Sequence, residues 1–343
     1  MSKNLLYFNL AIDEKDTSLG FTIDWLNIIA EEFDQVDVIS LRVNGIPKVN
    51  NSIKIYGLEN GKNRISKYIY FLKKLRELTK ENNYERCFSH MSPISVVLGK
   101  FFLVRHKIKT TLWFTHPGPK VGLKKLILYL AFLFSENVVT ASENSFPFSG
   151  RKVATIGHSI NLDLFNNNKK IYSVNKILVL SRISKSKNIE MSIDGFLNSD
   201  LKNSSIDIIG GPLNKKDKEY FERLKIQYKD KRVNFLGKVT YKDLPEILSK
   251  YDVHINSAGN GFFDKSVLET LSCGLINIYR NSDFNYIFGD SKFNFKNEEQ
   301  LVEKINEVSK LNTEELEQVF KTIDRSLKDN SLSTLNQRLR NYL

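Results

Sequence analysis

Residues 251–279, YDVHINSAGNGFFDKSVLETLSCGLINIY, place a strand, a glycine turn, a helix and a second strand in immediate succession, and few folds accept that order. Val253–Asn256 has the β-branched residues of a short buried strand, and Gly259-Asn260-Gly261 frees the following backbone from Cβ restrictions. Asp264 stands where a helix N-cap belongs, Val267, Leu268 and Leu271 form one apolar face, and Cys273-Gly274 closes the helix before a strand over 275–279. The unit is β-loop-α-β. A glycine-rich loop feeding a helix N-terminus offers unpaired N–H groups and partial positive charge, which suits phosphate. Glu269 lies just over one turn into that helix, where a carboxylate could accept both hydroxyls of a ribose; the alternative is a solvated face residue.

The same alternation runs along the chain. Residues 5–12 read as a strand, Thr17-Ser18-Leu19-Gly20 as a turn, and 21–33 as a helix with apolar residues at spacings of three and four. Strands follow at 36–43 and 53–58, then an amphipathic helix at 64–80 with Ile65, Tyr68, Ile69, Leu72 and Leu75 inward. Further strands are expected at 86–91, 109–114, 137–141, 152–156, 177–180, 206–209 and 233–239, and further helices at 188–196, 298–309 and 313–328. Such alternation predicts parallel sheets covered on both faces. His90 and His116 then fall at carboxyl ends of strands, where open α/β sheets place ligand groups; for a lone histidine the other reading is structural.

Composition narrows the class. With 343 residues the prior is two domains, and 41% hydrophobic with 26% charged residues is ordinary for a globular protein. The longest apolar run, 126–134, falls well short of the about 20 residues needed to span a bilayer, and the first residues read as a strand rather than a signal peptide. Two cysteines, Cys87 and Cys273, point to a reducing, cytoplasmic setting, and neither has zinc-ligand spacing with the histidines, so no metal is expected. No G-x-G-x-x-G occurs, which leaves a nicotinamide dehydrogenase little support. The net charge of +12 divides into +9 through Lys170 (24 Lys+Arg, 15 Asp+Glu) and +3 beyond it (27 and 24). A basic first half fits nucleic acid, an anionic membrane surface or an anionic acceptor, or simply many solvated lysines. Residues 120–134, KVGLKKLILYLAFLF, read either as a buried helix, given the lack of a polar face, or as a peripheral contact with anionic membrane.

The stretch from Gly261 to Gly274 resembles the nucleotide-sugar motif of GT-B glycosyltransferases of the GT4 type, the glycosyl transferases group 1. Glu269 and Cys273-Gly274 match its second half, whereas the usual first Glu falls on Gly261; the string is similar to a subgroup reading G-x-F-D-K-x-V-L-E. The resemblance implies donor contacts from Gly261, Phe262, Phe263, Leu268 and Glu269, with Asp264 holding sugar hydroxyls and Lys265 near the phosphates. Ser181-Arg182 to Lys187 resembles the G-R-(x)4-K element, so that Arg182 and Lys187 would converge on the diphosphate; the plain reading is two solvated cations after a strand. By the same resemblance Gly237, Lys238 and Val239 frame the base, Gly20 lies in a turn facing the interdomain cleft, His116 reaches the donor sugar, and His90 and His158 lie on the acceptor side.

The fold implied is α/β, GT-B, with two Rossmann-like domains whose parallel sheets face a central cleft. The expected boundaries are 1–168 for an acceptor-side domain, 169–328 for a nucleotide-sugar-binding domain, and 329–343 for a terminal helix crossing back to the first. The polar string NNNKK, 166–170, marks the junction. The activity implied is retaining transfer of a sugar, hexosyl in type, from a UDP- or GDP-sugar to a glycan or lipid-linked acceptor, with no cofactor, no metal and no nucleic acid. Two rivals share the fold: a nucleotide-sugar 2-epimerase, and a catalytically inactive module that binds polyanion.

Overall fold

A computed structural model describes residues 3–14, 16, 19–59, 63–166, 174–289 and 292–343. Thr17 and Ser18 of the expected first turn, and 167–170 of the expected linker, lie outside the described residues. The chain divides into two compact units, Met1–Ser159 with Leu332–Leu343, and Ile160–Ser331. The division falls at Ser159 rather than at 168 because Ile160 bridges Ser331 and donates its N–H to the Asn330 carbonyl at 3.1 Å, which ties 160–166 to the second unit. Its other end falls at Ser331, three residues beyond 328.

The first unit begins β1 (Asn4–Asn9), β2 (Ile12–Asp13), α1 (Thr22–Ala30), β3 (Gln35–Asn44), β4 (Ile53–Glu59) and α2 (Arg64–Glu81). It continues β5 (Arg86–His90), α3 (Pro93–Arg105), β6 (Lys109–Trp113), α4 (Leu123–Phe134), β7 (Asn137–Thr140) and β8 (Val153–Thr155). All its strands pair in parallel; the path runs β3-β1-β5-β6-β7-β8, with β2 and β4 both paired to β3. Chain order reverses between β1 and β5, where Asn9 lies in register with His90. Phe71, Leu75 and Leu78 of α2 close one core over Leu6, Phe8 and Ile39, and Val96 of α3 with Leu128 and Ala131 of α4 closes another over Leu112 and Val138.

The second unit begins β9 (Lys176–Leu180), α5 (Ile189–Asn198), β10 (Ser205–Ile209), α6 (Lys215–Gln227), β11 (Val233–Gly237), α7 (Leu244–Leu248) and β12 (Val253–Asn256). Next come α8 (Lys265–Ser272), β13 (Ile276–Tyr279), α9 (Asn285–Phe288), α10 (Glu298–Ser309) and α11 (Thr313–Asp329). Its parallel sheet has the order β11-β10-β9-β12-β13, so chain order reverses between β9 and β12. The last helix, α12 (Leu335–Leu339), belongs to the first unit, where Asn336 donates to the Ile28 carbonyl at 2.6 Å and Arg338 to those of Ile156 and His158.

Three expectations change. In α2, Leu75 turns inward as expected, but Ile65 and Ile69 are exposed, because the core that the helix closes begins only at Phe71. The apolar run of α4 is not a buried core helix: only Leu128 and Ala131 are buried, while Leu123, Leu126, Tyr129 and Leu133 are exposed. Helices α3 and α6 were not foreseen, although Ser92-Pro93 puts proline at the first helical position and Asn214 caps α6 by accepting the Asp217 N–H at 3.0 Å.

Candidate donor half-site and a buried aromatic layer

In an open parallel sheet, ligand groups gather beyond the carboxyl ends of the strands where chain order reverses. In the second unit that point lies between the segments following β9 and β12. The first carries Arg182 and Lys187; the second carries Gly261 to Asp264 and opens α8.

The loop after β9 is held by its neighbours. Ser181 donates its N–H to the Ile209 carbonyl at 3.1 Å and Ile183 to that of Gly211 at 3.2 Å. Asn188, with φ of 50°, reverses the chain from a tight turn over Lys185–Lys187 into α5. Gly210 has φ of 145°, and a Cβ there would lie 1.8 Å from the Ser181 carbonyl oxygen, so only glycine permits this approach of the two loops. Gly210 in turn donates to the Gly237 carbonyl at 2.8 Å, which joins the loop after β11, with Lys238 and Val239, to the same layer.

The loop after β12 is braced from 281–283. Asp283 accepts the Gly261 N–H at 3.1 Å, Asn281 donates to the Phe262 carbonyl at 3.0 Å, and Asn260 accepts the Ser282 N–H at 3.0 Å. Phe263 is buried with its ring 4.5 Å from that of Phe284. Sequence reasoning missed Asn281 and Asp283, since an Asn-Ser-Asp string after a strand reads only as a turn.

The charged groups then meet in pairs. Asp264 holds the N-cap position of α8, yet its carboxylate makes no capping bond; it takes the Lys187 ammonium, and the Asn256 amide at 3.1 Å. Lys187 is buried, 7% exposed, with its ammonium 5.0 Å from the centre of the Phe262 ring. It is therefore not a solvated cation. Glu269 is 1% exposed and pairs with Lys265, four residues earlier, whose ammonium also lies 4.8 Å from the Tyr241 ring centre. The reading of Glu269 as a solvated face residue is thereby excluded. Val267, Leu268 and Leu271 fill the inward face of α8 as expected. Arg182 is partly buried, and its Nε has no hydrogen-bond partner among the described residues. These ion pairs occupy the loop layer itself; a cavity of about 500 Å3 in this unit opens beside Ser282, Asn285, Asn294 and Lys296.

Behind the loops a second polar group is buried. His254 in β12 lies against Asn277 at 2.5 Å and Thr270 at 3.2 Å, and burial pushes its imidazole down to about 4. Thr270, one residue after Glu269, also donates to Asn277 at 2.9 Å, so this network orients α8 from beneath.

In the first unit the corresponding reversal point is an aromatic layer rather than an open charged site. His90 at the end of β5 is fully buried, 5.3 Å from Trp25 and 6.4 Å from Trp113 and Tyr7. Neither of its ring nitrogens has a partner among the described residues, and burial pushes its imidazole down to about 3. His158 is 3% exposed, 5.3 Å from Phe21 and 5.6 Å from Trp25, and its Nδ1 accepts the Ser159 N–H at 2.9 Å. Both histidines expected on the acceptor side are thus inside the layer and unexposed. His116, three residues past β6, is half-buried and edge-on to Phe114 at 6.1 Å. Gly20 is buried just before α1, donating its N–H to the Asp16 carbonyl at 2.9 Å. Alongside, a cavity of about 290 Å3 is lined by Leu10, Leu19, Arg42, Arg64, Lys67 and Tyr68. Among the described residues no three His, Cys, Asp or Glu side chains form a metal-binding group.

Residues 163–326, just under half of the 343, match the family model described as Glycosyl transferases group 1. That segment contains Arg182, Lys187, 237–239 and 261–269, whereas Gly20 and His116 lie outside it. No curated protein matches the chain in sequence. Among solved structures, the chain is similar to sucrose-phosphate synthase of Thermosynechococcus elongatus, at TM-score 0.80 and 12% identity over 99% of this chain and 98% of that one. It is similar also to Anabaena HepE in complex with UDP and glucose, at TM-score 0.78 and 14% identity over 99% of both. Staphylococcus aureus TarM, in complex with Fondaparinux, alpha-GlcNAc-glycerol and UDP, gives TM-score 0.74 and 12% identity over 99% of both. At such identities the likeness establishes the fold, two parallel-sheet α/β units of GT-B type.

Proposed function

We propose that the chain is a retaining glycosyltransferase that moves a sugar, hexosyl in type, from a UDP- or GDP-sugar to a glycan or lipid-linked acceptor. The observation that carries this reading is the convergence of Lys187, Asp264, Lys265 and Glu269 at the reversal point between β9 and β12, inside the segment that matches the family model. Two of the three solved structures named above hold UDP, one of them with glucose, which favours a uridine donor.

In the free protein Lys187 is held by Asp264, across the two loops, and Lys265 by Glu269, within its own helix. A diphosphate offers both ammonium groups a second anion, and Arg182 adds a planar fork. Glu269 remains to accept ribose hydroxyls, and Asp264 those of the sugar. In the reaction the bond between the anomeric carbon and the β-phosphate oxygen breaks, its electron pair staying on the diphosphate. The acceptor oxygen bonds to the same face of that carbon, and its proton passes to the leaving phosphate. Cations fixed where negative charge grows lower the barrier without reorganising. In this reading Arg182, Lys187 and Lys265 supply the positive charge, and turnover proceeds without added metal.

The test is melting temperature against UDP, GDP, ADP, CMP and dTDP in the absence of metal. A diphosphate at 100 times its Kd stabilises the folded state by about 2.7 kcal/mol. The expected result is a rise with one diphosphate that Glu269→Ala removes, measured against that variant's own baseline. A flat response to all five overturns the donor reading and favours polyanion binding. Product analysis with donor alone distinguishes transfer from epimerisation, since an epimerase converts the sugar with no acceptor present.

A further inference from the structure

From Arg86 through Ser135 the chain contains no aspartate or glutamate, while Arg86, Lys100, Arg105, Lys107, Lys109, Lys120, Lys124 and Lys125 are all basic. The same segment builds an exposed apolar face. Val121, Leu123, Leu126 and Tyr129, on α4 and the turn before it, are 81%, 71%, 51% and 43% exposed. Neighbouring α3 adds Phe101 at 68% and Val104 at 58%. The two helices share a core through Val96, Leu128 and Ala131, and the Lys100 ammonium of α3 lies 5.0 Å from the centre of the Phe134 ring of α4.

The charges are arranged against the helix. The first turn of α4 carries Lys124 and Lys125, with Lys120 just before it, at the end where the macrodipole is already positive. In water that costs stability, and among the described residues no carboxylate pairs with any of the three. Lys152 caps the other end, donating to the carbonyls of Phe132, Leu133 and Ser135. Burial, and the positive charge of Lys100, hold the Lys152 amine below its ordinary value. The face therefore combines an uncompensated positive potential with apolar side chains standing in solvent.

We propose that this α3–α4 face docks on an anionic lipid surface, with Val121, Leu123 and Leu126 entering the interface and Lys120, Lys124 and Lys125 meeting the headgroups. The choice of occupant follows from needing both features at once. A soluble polyanion would use the lysines and leave the apolar residues in water, and a second copy of the chain would set like charges against each other. No helix among the described residues is long and apolar enough to cross a membrane, so the contact is peripheral. It does not depend on the donor reading. If that reading holds, it brings the enzyme to a lipid-linked acceptor.

The experiment is co-sedimentation of the full chain with phosphatidylcholine vesicles, with and without phosphatidylglycerol. The expected result is binding only with the anionic lipid, weakening as salt rises. The variant K120E/K124E/K125E should reduce partition on the order of 100-fold. The variant V121S/L123S/L126S should also release the protein, with an unchanged melting curve because these side chains are exposed. Binding that needs only the lysines, and that soluble heparin competes away equally in both proteins, overturns the proposal for a polyanion site. A concentration-dependent dimer lost only in the serine variant overturns it for self-association. No sedimentation with either vesicle overturns it outright.

Discussion

Asp264 and Lys187 come from loops 77 positions apart, and both are largely withdrawn from water. Removing one partner of such a pair leaves an uncompensated charge, so Asp264→Ala should destabilise the free protein by about 3 kcal/mol. Lys187→Met should cost less than that where Asp264 is already Ala, giving a coupling of about 2 kcal/mol in a double-mutant cycle read by urea denaturation. Additive effects would mean that the pair is not energetically formed. Among the described residues Arg182 has no comparable ion pair, and its role is proposed in the reaction rather than in the fold. Arg182→Ala should therefore leave the melting temperature nearly unchanged while lowering kcat/KM by about 3 kcal/mol, roughly 100-fold. A rate near that of the unaltered protein would remove it from the mechanism.

At the scale of elements, two local features were open to different degrees of foresight. Asn312 and Glu315 form a reciprocal capping box at the start of α11, with the Asn side chain accepting the Glu315 N–H at 3.0 Å and Glu315 accepting the Asn312 N–H at 2.9 Å. That pattern is visible as Asn-x-x-Glu before an amphipathic run, and Asn312→Ala should cost about 1 kcal/mol in thermal denaturation. Gly210 shows no such pattern. Its importance comes from a carbonyl belonging to Ser181, on another strand's loop, and Gly210→Ala should cost about 2–5 kcal/mol through backbone strain and the clash together. The same variant should weaken diphosphate binding, because the loop carrying Arg182 must shift; an unaltered Kd would separate the two loops functionally.

At the scale of the molecule, each unit buries a neutral histidine on a strand of its sheet: His90 at the end of β5 in the first and His254 within β12 in the second. Burial lowers both from the ordinary 6.5, to about 3 and about 4. The unfolded chain then binds more protons than the folded one below pH 6.5. Stability is complete above that pH and falls as pH drops, by about 1.4 kcal/mol per pH unit for each histidine, until the folded-state value is reached. Chemical denaturation at pH 7, 6, 5 and 4 should show this slope, and His90→Phe, which keeps an aromatic ring against Trp25 and Trp113, should flatten it. An unchanged slope in that variant would assign the acid sensitivity to other groups.

The residues by themselves determined the alternation of strand and helix, because apolar periodicity and glycine or asparagine boundaries act over a few positions. They determined α8 and its apolar face for the same reason, and they marked Arg182, Lys187, Asp264, Lys265 and Glu269. Only the tertiary structure decided which charges pair, since Lys187 and Asp264 meet through the order of β9 and β12 in the sheet. It also decided which side of α4 is wet. Residues 126–134 are apolar almost throughout, so periodicity names no inward face, and the packing of Leu128 and Ala131 against α3 selects one. Burial of His90 was likewise beyond the string His-Met-Ser-Pro, because the aromatic layer around it is gathered from β1, α1, β6 and the segment after β8, which lie far apart in the chain.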